Sequence, residues 1–122
     1  MQYEEDFVDE ELIEFEIEGK KFGYKPATAG DELDWTDECM EIVDGKAKQN
    51  LKKATLCKIR NLKLVPYNQE IIKKMIGVDK EWKDLDNAGK TKLIDKLKPS
   101  MLTNIMQQIN KIDVADEEVK KN

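Results

Sequence analysis

Strict alternation of apolar and polar residues occurs near the N-terminus of this chain, and helical spacing dominates after it. Ile13, Phe15 and Ile17 alternate with Glu14, Glu16 and Glu18. That period of two predicts a strand with one buried face. Gly19-Lys20-Lys21 reads as a turn, and Phe22 and Tyr24 resume the alternation up to Pro26. The pair predicts a β-hairpin, with one longer edge strand over 15–24 as the alternative. A lone hairpin is marginal in water, so it is expected to pack on helices or join another sheet.

The rest of the pattern predicts helices. The first covers about 31–45, with Asp31 or Thr28 at its start and acids in its first turn, where they suit the positive end of the helix dipole. Leu33, Met40 and Val43 share one stripe beside Trp35, Cys39 and Ile42, and Gly45 reads as the closing glycine. The second helix covers 48–62, with Leu51, Ala54, Leu56, Ile59 and Leu62 on one side, before Pro66 forces a break. The third covers 68–77 with Ile71, Ile72, Met75 and Ile76 inward, and a short helical turn over 79–85 is capped by Asp79. The fourth runs from 86 or 87 to 98, and the fifth from 101 to 112 with Ser100 as its cap. The expected fold is therefore α+β: an N-terminal hairpin followed by about five short helices in one domain over 13–112. Residues 1–12 read as an acidic flexible arm and 113–122 as a flexible charged tail.

Composition narrows the class. The chain has 122 residues, 39% apolar and 39% charged, enough for one small core under a densely charged surface. Apolar runs are too short for a membrane span, and the N-terminus lacks the basic and apolar regions of a secretory signal. A cytoplasmic location is expected. The net charge of −5 conceals a division, because residues 1–44 carry −13 and residues 45–122 carry +8. Charges segregated on that scale fold against each other or meet on neighbouring molecules.

Candidate chemistry is sparse. Histidine is absent, which removes the usual general acid–base and the commonest transition-metal ligand. Cys39 and Cys57 lie in helical apolar patterns and read as small buried hydrophobes. The acids of 31–44 lack the spacing of a calcium loop. Gly89-Lys90-Thr91 lacks the earlier glycine and preceding strand of a phosphate-binding loop. No catalytic, cofactor or metal residue is assigned, and the chain does not read as an enzyme. Candidate protein-contact residues are Phe15, Ile17, Phe22 and Tyr24, which would offer an edge for strand addition. Trp35 and Trp82 are interface anchors or core residues. The basic segment 46–63 holds Lys46, Lys48, Lys52, Lys53, Lys58, Arg60 and Lys63 with no acid among them. Its charge would suit phosphates, yet it has no aromatic residue on which bases could stack. Residues 1–12 are expected to reach this segment, in the same molecule or a neighbouring copy.

The series Phe-Glu-Ile-Glu-Gly-Lys-Lys-Phe over 15–22 leads to Tyr24-Lys25-Pro26-Ala27-Thr28-Ala29-Gly30-Asp31-Glu32-Leu33 and on into a small helical region. With the later Ile76-Gly77, Trp82-Lys83, Leu85 and Lys98-Pro99-Ser100, this organisation resembles the small tail-assembly proteins and tail-assembly chaperones of tailed bacteriophages and related viruses. The resemblance covers roughly residues 13–110, and the acidic N-terminal arm departs from it. It implies no catalysis and no cofactor. It implies capture of a protein partner such as a tail or tape-measure protein, action in a host cytoplasm or a virion, and in some cases a minor structural role in the particle; a homo-oligomer is a separate expectation. Nucleic-acid contact through 46–63 is the alternative.

Overall fold

The computed structural model describes residues 11–121. Strands β1 (Ile13–Ile17) and β2 (Lys20–Tyr24) form the expected antiparallel hairpin, with Phe15 opposite Phe22. Its turn is Glu18-Gly19, at φ 53° and 79°, and both lysines already belong to β2. Two successive positive φ angles twist a two-residue turn in the sense the flanking strands require.

Helix α1 (Ala29–Cys39) starts behind a capping box: Asp31 N donates to Thr28 Oγ1 at 3.1 Å and Thr28 N to Asp31 Oδ2 at 3.0 Å. It stops at Cys39, six residues before the predicted glycine. Strands β3 (Met40–Val43) and β4 (Lys46–Gln49) follow as a second hairpin. Asp44 and Gly45, at φ 54° and 76°, make its turn, so Gly45 closes a hairpin and not a helix.

Helix α2 (Leu51–Arg60) is capped by Asn50, whose Oδ1 accepts from Lys53 N at 3.1 Å. The predicted helix overran here too, because Leu62 lies in β5 (Leu62–Leu64), which pairs antiparallel with β2. The sheet order is β1-β2-β5. A register irregularity at Gly23 and Tyr24 brings β5 so close that a side chain at Gly23 would meet Leu12 Cδ2 at 2.9 Å and Leu64 Cβ at 3.0 Å.

Helix α3 (Gln69–Ile76) runs from its Asn68 cap to the left-handed Gly77, the predicted ends, but of its four apolar residues expected inward Ile72 alone is buried and Ile76 half-buried, while Ile71 and Met75 are exposed. A short 3-10 turn (Trp82–Asp84) precedes α4 (Asn87–Asp95), whose cap is Asp86. Asp79 caps nothing; its carboxylate accepts from Gln69 Nε2 at 2.7 Å. Helix α5 (Pro99–Lys121) begins at the proline, so Ser100 lies inside it.

The core gathers Phe22 and Tyr24 of β2, Ile59 of α2, Leu62 of β5, Ile72 of α3, and Ile105 and Ile109 of α5. One polar clasp joins its two ends. Asp113 of α5 accepts from Tyr24 OH at 3.1 Å and Ala27 N at 3.2 Å, and Lys58 Nζ stands 3.4 Å away. Three donors on one carboxylate fix a residue expected to fray with the tail, and the helix backbone continues to Lys121. Among the described residues no helix is long and apolar enough to cross a membrane.

Candidate interaction surface

The first hairpin seals the fold with the side chains expected to face a partner. Phe22 and Tyr24 are fully buried and Ile17 nearly so. Phe15 is half-buried, stacked on Phe22 at 5.4 Å between ring centroids. The reason is that β2 is the central strand of three, so its aromatic residues face the core. What β1 leaves open is its outer backbone edge, beside the exposed Glu14 and Glu16. Trp82 is also a core residue: its indole N–H donates to Leu62 O at 2.7 Å, and the Lys90 ammonium lies 5.2 Å from its ring centre. Trp35, on α1, is half-buried.

The basic segment is divided over three elements. Lys46 and Lys48 lie on β4, Lys52, Lys53, Lys58 and Arg60 on α2, and Lys63 on β5. Acids of other elements take up part of it. Arg60 Nη2 donates to Glu38 Oε1 at 2.6 Å, Lys53 Nζ lies 3.1 Å from Glu41 Oε1, and Lys58 pairs with Asp113. Lys63 reaches Asn61 Oδ1 at 3.1 Å. Lys46, Lys48 and Lys52 are exposed and have no acidic partner among the described residues. The expected contact from residues 1–12 falls almost wholly outside the described residues.

The Arg60–Glu38 pair extends to a thiol. Cys57 Sγ lies 3.3 Å from Glu38 Oε2 and donates to it. The hydrogen bond from Arg60 holds the Glu38 carboxyl below the usual glutamate range. Burial, reinforced by the Glu38 carboxylate, pushes the Cys57 thiol up to about 12. Cys57 is thus a protonated donor at neutral pH, with little nucleophilic character. Cys39 is also buried and free. Among the described residues no group of three or more His, Cys, Asp or Glu side chains converges as metal ligands.

The hydrophobic pattern misassigned the segment that exposes Ile42. In β3–β4, Ile42 stands opposite Ala47 and Met40 opposite Gln49, so these four share one face. Glu41 and Lys48, with Val43 and Lys46, occupy the other. The charged face is tied to the start of α2, where Glu41 Oε1 accepts from Asn50 Nδ2 at 3.0 Å as well as from Lys53. Both faces are open to water, Val43, Lys46 and Lys48 being exposed on the charged one, and on the uncharged face Ile42 is 81% exposed. Leu33 of α1 and Leu51 of α2 are 71% and 76% exposed on the elements that flank the hairpin. This arm joins the main core chiefly through the packing of α1 on α2, centred on the buried Cys39 and Cys57. The Asp44-Gly45 pair between two alternating stretches was the available signal for it. No protein-family model matches the chain, and comparison with curated proteins and with solved structures finds no match either.

Proposed function

We propose that this chain is a non-enzymatic protein-binding assembly factor that captures its partner through the β3–β4 arm. One observation carries the reading: an uncharged strand face that includes Ile42 is left in water by a fold that buries Ile17, Phe22 and Tyr24 of its other hairpin. Exposed Leu33, Ile42 and Leu51 on three successive elements are the apolar side chains such a contact would cover. The charges beside it, acidic on α1 and basic on β4 and α2, would set orientation and association rate. The resemblance to viral tail-assembly chaperones fits this reading, with a tail or tape-measure segment as the partner class. A photoreactive residue placed at Ile42 in the native host tests it. The expected product is a covalent adduct to a protein, lost when Leu51→Glu is added. Adducts that form equally from the exposed Glu70 on α3 would contradict it.

A second reading, polyanion contact, is favoured by Lys46, Lys48 and Lys52, which lack acidic partners among the described residues. It requires binding of labelled DNA or RNA at low salt that collapses at moderate salt, and that Lys46→Gln/Lys48→Gln/Lys52→Gln abolishes. No anisotropy change at low salt would rule it out.

A further inference from the structure

We infer that the outer edge of β1 takes up, as a fourth strand, an extended peptide in which basic and apolar residues alternate. This edge belongs to the first hairpin, and its use does not depend on the β3–β4 arm. Among the described residues β1 ends the sheet β1-β2-β5 on one side. On the other side a side chain occupies β5, where Leu62 O accepts the Trp82 indole N–H at 2.7 Å. The groups left open on β1 follow from its turn. The two-residue turn Glu18-Gly19 makes Ile17 and Lys20 a hydrogen-bonded pair, and alternation makes Phe15–Phe22 and Ile13–Tyr24 the next ones. The N–H and C=O groups of Glu14 and Glu16 therefore point away from β2, toward an incoming strand.

The side chains of β1 define what that strand carries. A residue paired with Glu14 or Glu16 shares their face and is their closest cross-strand neighbour. Both glutamates are exposed. The lysines of β2 lie one strand further away and are engaged: Lys20 Nζ lies 3.8 Å from Glu18, and Lys21, opposite Glu16 in the register, reaches Glu14 at 3.6 Å instead. Glu16 has no cationic partner among the described residues. Basic residues two apart on the incoming strand meet this pair. The residue between them falls on the opposite face, beside Ile13, 42% exposed, and the half-buried Phe15, and an apolar side chain there covers both. A second copy of this chain does not fit. Antiparallel pairing of two β1 edges sets Glu14 opposite Glu16, or each opposite itself, and like charges directly opposite are destabilising. The glutamates that bar self-pairing thus select a basic strand.

The probe is a short end-blocked peptide of alternating lysine and valine with a fluorophore at one end, titrated with the full chain at physiological salt. Its anisotropy should rise on binding, and the glutamate–valine counterpart should bind about tenfold more weakly or worse. Glu14→Lys/Glu16→Lys should reverse that preference with an unchanged far-UV spectrum, because both positions are already exposed. Backbone methylation separates strand addition from plain charge attraction. Methyl groups on the lysine amide nitrogens, which face Glu14 and Glu16, should abolish binding, whereas methyl groups on the valine amides, which face away, should leave it. Equal binding by the two methylated peptides overturns the inference. A lysine–valine peptide that shows no binding up to about 1 mM, or whose preference survives the charge reversal, also overturns it.

Discussion

At the scale of single residues, Asp113 and Cys57 bear the most specific consequences. Asp113 serves three donors from β2, the following loop and α2, so Asp113→Ala leaves Tyr24 OH and Ala27 N without their partner. The expected loss is about 2–3 kcal/mol in urea unfolding. Tyr24→Phe removes one donor and leaves the carboxylate two, and should cost about 1 kcal/mol. At Cys57 the folded thiol is held above its ordinary value of 9.0, so the unfolded chain releases that proton first as pH rises. The stabilisation is complete below pH 9 and is lost as pH climbs toward about 12. Native protein at pH 8 should therefore react with a thiol reagent only as fast as it opens, and Cys57→Ala should flatten the alkaline loss of stability. Glu38 acts in the other direction: its lowered carboxyl stabilises the fold above the ordinary value of 4.5, and that stabilisation disappears as pH falls through the folded value. Glu38 is partly exposed, so its pair with Arg60 contributes only about 0–1 kcal/mol. Glu38→Gln should reduce the acid-side slope without changing the midpoint at pH 7 by more than that.

At the scale of elements, the instructive difference lies between the two hairpins. The first was legible because Ile13, Phe15, Ile17, Phe22 and Tyr24 alternate against glutamates and lysines and nothing in them fits a helix. The second was hidden because Met40 and Val43 fall on a helical stripe with Leu33, and four-residue strands carry too little alternation to outweigh that spacing. Asp44-Gly45 held the deciding information, a pair suited to two positive φ angles. Helices α3 and α4 were legible from Asn68, Gly77 and Asp86, which cap them as their chemistry requires. The β2–β5 pairing was not legible, because strand partners distant in sequence leave no local mark on either strand. The same limitation hid the burial of Ile17, Phe22 and Tyr24, since alternation identifies an inward face without saying how much covers it. Gly45→Ala should destabilise by about 1–2 kcal/mol, even though the position has open space around it, because the strain is in the backbone at φ 76°. Gly45→Asn should cost less, which a pair of thermal melts would reveal.

At the scale of the molecule, the acidic and basic halves close part of their imbalance internally. Glu38 and Glu41, from the acidic half, hold Arg60 and Lys53, from the basic half. The acids of α1 and the lysines of β4 and α2 that stay exposed would, on the proposed function, steer a partner toward the arm. The central claim is that contact is made through this arm, and backbone hydrogen exchange at residues 40–49 tests it most directly. A two-stranded hairpin with exposed side chains on both faces should exchange readily in the dilute protein, well ahead of the buried β2. On adding a partner identified by cross-linking at Ile42, exchange at 40–49 should slow and exchange at 13–17 should stay unchanged. Slowing confined to 13–17, with 40–49 unaffected, would contradict it.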